Sequence, residues 1–277
     1  MVEKLAVITV AYENYSILKD FFASLNSQTD PLFSVFIADL SRNKNPVILP
    51  SFASIQEGPN KGYAYGVNMG VKKALGEGYE FFCVVNSDTV LTPDFIENVK
   101  ASLNKNKSSI IGGKIYYAKG YEYHKGTYKN EELGHVLWYA GGTVDWNHAL
   151  TPHRGVDVVD AGQYDTFGKT GFVNGCLMGF DRSVVERVGL WDESYFLYFE
   201  DADYCERAKR RGIALYYDPA IVIYHKNAQS TGGSGSKMHR SYQRKSRLKF
   251  GLKYAPLKTK LHLLSNFIRD QITGTNK

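Results

Sequence analysis

Cysteine is scarce in this chain. Cys83, Cys176 and Cys205 are its three cysteines. They lie far apart and form no CxxC pair, so neither a thiolate zinc site nor a disulfide framework is indicated, and a reducing compartment is expected. No apolar run approaches the roughly 20 residues needed to span a bilayer. The start, MVEKLAVITVAY, lacks the basic stretch and small-residue cleavage site of a signal peptide and reads as a strand, so a cytoplasmic protein is expected. Acidic residues are missing from one segment: Lys237 to Lys260 carries nine Lys or Arg and no Asp or Glu, more than the net charge of +6 of the whole chain. The basic character is therefore local. Nothing resembling a base-reading module accompanies it, which argues against nucleic acid as a partner. Tyr242, Leu248, Phe250, Leu252, Tyr254 and Leu257, then LHLLSNFI from Leu261, interleave apolar groups with these charges. Such a tail suits two arrangements: peripheral contact with an anionic membrane surface at its inner face, or packing of its apolar side on the main domain.

What is present supports a large folded domain. The 43% hydrophobic content is ample for a core, and the 14% aromatic share suits both core packing and stacking on planar or sugar rings. LAVITVAY reads as a buried strand, and NYSILKDFFASLNSQ places Ile17, Leu18, Phe21, Phe22 and Leu25 on one helical face with Asn14 as its cap. FSVFIAD predicts a second strand ending at Asp39, SIQEG a short third, GYAYGVNMGVKKAL a glycine-rich helix, and YEFFCVVN a fourth strand ending at Asn86. Thr92 followed by Pro93 marks the start of the next helix. Strands alternating with helices imply an α/β, doubly wound, mostly parallel sheet, in which ligands bind beyond the carboxyl ends of the strands. From Ala118 to Lys169 there is no helical period, and short strands and loops are expected. His124, His135, His148 and His153 lack metal-site spacing there and read as surface or loop residues. Trp138 and Trp146 read as core or hairpin residues, with stacking on a sugar as the lesser alternative.

The carboxylates fall where such a fold concentrates chemistry. Asp39 and Asp88 both follow buried strands, and a carboxylate held rigidly at a sheet's rim can bind Mg²⁺ or Mn²⁺ while a substrate's phosphates supply further oxygens. His225 ends the apolar run AIVIYH. Glu200 and Asp201 stand between an aromatic run, Tyr195 to Phe199, and a helix whose last turn holds Lys209, Arg210 and Arg211. Adjacent carboxylates raise one another's proton affinity, which suits a general base; acidic residues at a helix start also suit simple capping. Lys226 to Arg240, rich in Gly and Ser, reads either as a lid over a diphosphate, using Lys237, His239 and Arg240, or as a flexible linker.

NKGYAYGVNMG (Asn60 to Gly70), VVNSDT (Val84 to Thr89), the stretch from Gly171 to Gly212 and YYDPAIVIYH (Tyr216 to His225) resemble, in order and spacing, the family 2 glycosyltransferases with the GT-A fold, and in particular their bacterial rhamnosyltransferase-like branch. The resemblance covers Leu5 to His225. It implies an inverting, divalent-cation-dependent hexosyltransferase of surface polysaccharide synthesis, using a nucleoside diphosphate sugar and a glycan or lipid-linked acceptor. The branch favours dTDP-L-rhamnose; UDP-hexose and UDP-N-acetylhexosamine donors are the alternative. Carried over by position, Asp39 resembles the base-recognising aspartate, and Asn60, Gly62 and Asn68 belong to the donor side. Asn86, Ser87 and Asp88 stand for the DxD motif, with Asp88 as metal ligand; His225 completes the metal or diphosphate site. Asp201 is the general base with Glu200 in support, and Trp191 and Asp192 line the acceptor site. Two departures stand out. Asn86 replaces the first motif aspartate, so metal affinity without the donor's diphosphate is expected to be weak, and LSRN follows Asp39 where relatives show Asn-x-Ser and an acidic residue. A nucleotidyltransferase would want a glycine-rich phosphate loop after the first strand, where this chain has AYENYS. A non-catalytic nucleotide-sugar-binding protein is the third class, favoured only by Asn86. The domains implied are residues 1–226, the catalytic unit, and 227–277, a Gly/Ser-rich loop followed by basic amphipathic helices.

Overall fold

A computed structural model describes residues 3–45, 47–227 and 236–273, with side chains through 269. The elements in chain order are β1 (Leu5–Ala11), α1 (Leu18–Asn26), β2 (Phe33–Asp39), β3 (Ala53–Glu57), α2 (Tyr63–Gly76), β4 (Phe81–Val85), β5 (Thr89–Leu91), α3 (Phe95–Lys105), β6 (Ser109–Tyr117), β7 (Leu137–Tyr139), β8 (Gly168–Lys169), β9 (Leu177–Asp181), α4 (Arg182–Val188), α5 (Glu200–Arg210), β10 (Ala214–His225), α6 (Lys237–Tyr254) and α7 (Leu257–Thr273). A 3₁₀ turn, Tyr15–Ile17, separates Asn14 from α1, so Asn14 caps that turn's start rather than the helix. The helix expected from Thr92 begins instead at Phe95: Thr92 accepts the Phe95 N–H through its carbonyl, and Asp94 precedes the first helical residue.

One sheet organises the chain, in the order β3-β2-β1-β4-β9-β6-β10-β5, with β7 beside β6 and β8 beside β10. The strands β3, β2, β1 and β4 are mutually parallel, as are β6 and β10. β9 lies antiparallel between β4 and β6, joining the two parallel sets. Both faces of the central strands are covered: every residue of β4 and β9, and all but one of β1 and β6, is buried. That is why these segments are continuous apolar runs rather than alternating ones. α2 lies close on β1 because Gly66 and Gly70 present no side chain there; a Cβ on Gly70 would stand 2.6 Å from Ile8.

β10 is not straight. Its register on β6 slips between Asp218 and Val222, where Pro219 cannot donate to a ladder, and beyond this bulge it pairs antiparallel with β5, setting His225 opposite Thr89. The C-terminal helices are docked on the body. Phe250 of α6 is fully buried, with ring centroids 5.5 Å from Trp146 and 5.4 Å from Phe199. Buried Asp203 of α5 accepts hydrogen bonds from Lys253 (2.6 Å) and Tyr254 (2.8 Å) of α6, besides the Arg207 guanidinium one turn along its own helix (2.8 Å). Of the two arrangements open for the apolar side of the tail, α6 therefore adopts packing on the domain. Most of the Gly/Ser-rich stretch expected as lid or linker, residues 228–235, lies outside the described residues.

Candidate active site

The short loop from β4 to β5 carries Asn86, Ser87 and Asp88. Ser87 Oγ donates to the Val10 carbonyl (3.1 Å), tying the loop to β1. The pairing of His225 with Thr89 brings its Nε2 to 3.2 Å from Asp88 Oδ1, both side chains being almost fully buried. His225 Nδ1 is buried without a protein partner. Trp138 packs edge-on against the His225 ring, with centroids 4.6 Å apart.

Glu200 and Asp201 form the first turn of α5. The residues ahead of them, Tyr198 (φ 69°) and Phe199 (φ 65°), are both in the left-handed region, a conformation costing about 1–3 kcal/mol for each non-glycine residue and one that clusters at functional sites. No side chain caps this helix. Asp201 instead accepts N–H bonds at both oxygens, from Gly175 to Oδ2 and from Ala202 to Oδ1, each 2.8 Å. Glu200 Oε2 is buried with no partner. Burial, and then the neighbouring Asp201 charge, push the Glu200 carboxyl well above the usual carboxylate range. Burial also raises Asp201, opposed by the N–H groups that its carboxylate accepts. The pair is thus built to hold a proton on Glu200 and the charge on Asp201, where the bonds and the helix N-terminus favour it.

A turn at 174–176 connects the two acidic clusters. Gly175 N–H bonds Asp201, and its carbonyl accepts from the Tyr63 hydroxyl (3.1 Å), which also donates to Asn86 Oδ1 (2.8 Å). The Cys176 carbonyl accepts the Asn86 N–H (3.1 Å). Gly175 leaves little room: a Cβ there would stand 3.1 Å from Asp201 Cβ and 3.3 Å from the Trp191 ring. Burial, followed by Cys176, Glu200, Asp201 and Asp88, holds the Tyr63 phenol protonated well above its ordinary range.

Asp39 is buried at the end of β2, accepting from the Tyr15 hydroxyl (2.8 Å) and the Ser41 N–H (3.0 Å), with Lys44 3.4 Å away. Burial works to raise its pKa, but the Ser41 and Tyr15 hydrogen bonds and the Lys44 charge outweigh it and lower the value. Asn60 Oδ1 accepts the Gly62 N–H (3.1 Å) in the turn before α2. Gly62 has φ 103°, and the next residue, Tyr63, donates its N–H to the Phe196 carbonyl (2.9 Å). Asn68 is spent on the loop after α4: its amide donates to the Trp191 carbonyl and Glu193 and accepts the Trp191 N–H. It therefore positions Trp191, whose ring stacks on Tyr204 and whose Nε1 is buried without a partner. Asp192 accepts from Ser194 and from Lys253 of α6 (3.3 Å). Burial, outweighed by the Ser194 bonds, the Lys249 charge and the Lys253 bond, leaves its pKa at about 2.

Of the proposed lid residues, His239 packs edge-on against Tyr198 (4.9 Å), two residues before Glu200, while Lys237 and Arg240 are exposed in the first turn of α6. Ser236 Oγ caps that turn by accepting the His239 N–H (3.1 Å). Burial and the Arg240 charge lower the His239 pKa. His153 departs from its expected place on a loop surface. It sits against Trp138, Tyr139 and Phe172, its Nδ1 3.1 Å from the Trp138 carbonyl and its Nε2 3.1 Å from the Asn174 amide. Burial pushes its pKa down to about 4. His124, His135 and His148 are exposed. Tyr63 and Asn174 lie in stretches that carry the family resemblance, but their long-range partners, like those of His153, lie many residues away and gave no signal for their place here.

Among the described residues no group of three or more His, Cys, Asp or Glu could hold a metal ion. Asp88 and His225 offer one oxygen and one nitrogen side by side, and His225 Nδ1 has no protein partner. This pair fits a Mg²⁺ or Mn²⁺ whose other ligands come from a diphosphate and water.

The chain is 24% identical over 226 residues to the low-salt glycan biosynthesis hexosyltransferase Agl10 of Haloferax volcanii, covering 81% of this chain and 68% of that protein. It is 25% identical over 253 residues to the N-acetylglucosaminyl-diphospho-decaprenol L-rhamnosyltransferase of Mycobacterium tuberculosis, covering 84% and 79%. It is 22% identical over 170 residues to the dTDP-rhamnosyl transferase RfbF of Shigella flexneri, covering 61% and 50%. The fold is similar to that of GalNAc-T7, solved with UDP, GalNAc and Mn²⁺, with a TM-score of 0.64 and 14% identity over 84% of this chain; the match spans 44% of that larger chain. The expected GT-A fold is thus the one observed. Residues 6–189, more than half of the sequence, match the family model for glycosyl transferase family 2, and the chain belongs to that family.

Proposed function

We propose that this hexosyltransferase moves L-rhamnose from dTDP-L-rhamnose, with inversion, onto a glycan or lipid-linked saccharide, in the cytoplasm or at the inner face of the membrane. The observation that carries the reading is the joining of Asp201 to the Asp88–His225 pair through Gly175, Tyr63 and Asn86: a proton acceptor and a cation-holding rim share one hydrogen-bonded frame. The rhamnosyl donor and the lipid-linked acceptor take their support from the names of the relatives.

Attack on the sugar needs a base on the side opposite the leaving diphosphate. Asp201 takes the acceptor hydroxyl's proton; its lifted proton affinity suits this, and the neutral Glu200 beside it adds no competing charge. Trp191 and Asp201 both lie against Gly175, which supports the indole as an apolar neighbour of the base. Asp39 is assigned to the donor's base, and Asp88 with His225 would hold a divalent cation, which when bound would supply positive charge against that developing on the leaving phosphate. Lys237, His239 and Arg240 at the start of α6 are assigned to the same diphosphate, a reading supported by His239 packing on Tyr198 just ahead of Glu200.

The test is transfer with dTDP-rhamnose, UDP-hexoses and UDP-N-acetylhexosamines, each with Mg²⁺, Mn²⁺ or chelator, with the product anomer read by NMR. Asp201→Asn should lower single-turnover transfer by roughly 10²–10⁴ with donor affinity retained. Asp88→Asn should weaken metal-dependent donor binding more than Asn86→Ala does. Near-wild-type transfer by Asp201→Asn refutes the mechanism, and transfer from UDP sugars alone refutes the donor assignment.

A further inference from the structure

The two faces of α7 contradict what a helix packed on a soluble domain should show. One face is used: Leu263 is buried against Gly251 of α6, where an added Cβ would be 2.2 Å from its Cδ1, and Thr259 is buried, bonding the Trp146 carbonyl. The opposite face should then be polar. It instead carries Leu257 (71% exposed), Leu261 (59%), Leu264 (37%) and Ile268 (56%). At 100° per residue these four fall within a band about 60° wide. Lys258 and Arg269 border the band on one side and Lys260 on the other. The segment from Lys237 to Lys260 holds nine cations, Lys258 and Lys260 among them, and no acidic residue.

We infer that this face of α7 docks on an anionic lipid surface, lying in the plane of the interface with the four apolar side chains immersed and the flanking cations against the headgroups. Charge decides the occupant. A second copy of the chain would bring the same acid-free basic segment against itself across a two-fold contact, whereas an anionic bilayer complements both the stripe and its borders. The contact would be peripheral, since among the described residues no helix is long and apolar enough to cross a membrane. It rests on the proposed lipid-linked acceptor for its purpose only; the stripe and its charges stand whatever sugar is moved.

The experiment is co-sedimentation of the full chain with vesicles of equal parts phosphatidylglycerol and phosphatidylcholine, against phosphatidylcholine alone, at low and high salt. Analytical ultracentrifugation without lipid runs alongside. Wild type should bind the anionic vesicles and release at high salt. Leu261→Glu/Ile268→Glu, both at exposed positions, should bind at least roughly tenfold more weakly, and Lys258→Gln/Lys260→Gln should lose part of the binding with its far-ultraviolet dichroism unchanged. Equal binding to neutral vesicles, or no effect of the Glu pair, overturns the inference. So does a dimer without lipid that the Glu pair dissociates, which would assign the stripe to a second copy. Transfer to a short water-soluble acceptor should be unchanged in the Glu pair. If wild type binds anionic vesicles but transfers no sugar to any acceptor, the proposed reaction fails and the lipid surface stands.

Discussion

Removing the Tyr254 hydroxyl tests how α6 is fastened to the helix that carries Glu200 and Asp201. Asp203 is completely buried, two residues after Asp201, and its Oδ1 accepts both Lys253 Nζ and Tyr254 Oη. A hydrogen bond to a charged group is worth about 1.5–3 kcal/mol, and partial exposure of the Tyr254 end puts Tyr254→Phe near the bottom of that range. Asp203→Ala should cost more, about 3–5 kcal/mol, because Arg207 and Lys253 then lose the carboxylate they share. The pH dependence carries a second signature. Burial, the Asp203 bond and the Asp203 charge raise the Tyr254 pKa from 10.0 to about 12, so the folded state holds that proton after the unfolded state has lost it. The contribution is fully present below pH 10 and fades as pH rises towards 12. Lys253 is raised as well, by its bonds to Asp203 and Tyr254 against the opposing effect of burial, and adds to the same alkaline loss. Urea unfolding of wild type, Tyr254→Phe, Asp203→Asn and the double variant, at neutral pH and in steps above it, closes the cycle. A coupling energy below about 0.3–0.5 kcal/mol, the ordinary scatter of independent sites, would refute the fastening. An unchanged alkaline slope in Tyr254→Phe would refute the assignment of the titration.

Glu200→Gln should stabilise the protein at neutral pH. The folded-state pKa is raised, so the native carboxyl contributes most below its ordinary range and progressively less as pH rises; thermal melts across that range should show the variant losing this slope, and identical slopes would count against the proton's residence on Glu200. Gly62→Ala should lower both stability and transfer, since its Cβ would stand 2.3 Å from the Phe196 carbonyl at a φ that alanine avoids; unchanged melting would mean that the 196–199 segment is free to move away. Asn86→Asp should bind Mn²⁺ tighter without nucleotide, read by calorimetry, and an unchanged affinity would place the cation elsewhere.

Much of this was legible because buried parallel strands write themselves as continuous apolar runs, and their ends mark the rim where ligands bind. Asp39, Asp88 and His225 were found that way. The direction of β9 was not legible: LMGFD is a short apolar run, which carries no information about its neighbours or their sense. Nor was the role of Asp203. Its pairing with Arg207 follows from the spacing of one helical turn, but Lys253 and Tyr254 lie about fifty residues on and only the packed structure brings them in. His153 was misplaced because spacing arguments detect metal sites, and this histidine is held by a backbone carbonyl, an amide and three rings. The exposed side of α7 was visible in part, as apolar residues mixed with cations; which of them face out depended on which face Gly251 receives.

The replacement of the first motif aspartate by Asn86 becomes intelligible from its surroundings. Asn86 Oδ1 accepts the Tyr63 hydroxyl, a bond that a carboxylate would make equally well, so the hydrogen bond alone does not require an amide. Charge does. The groups acting on Tyr63 already include Glu200, Asp201 and Asp88, and burial already drives the first of these to keep its proton. A further carboxylate at position 86, tied to that same hydroxyl, would deepen the repulsion among these groups. The amide keeps the frame between the β4 loop and the 174–176 turn while leaving Asp88 and His225 as a weak, low-charge pair. On the proposed reading, such a pair would have little hold on a divalent ion by itself and would gain it when a diphosphate adds its oxygens, which would couple cation binding to arrival of the donor.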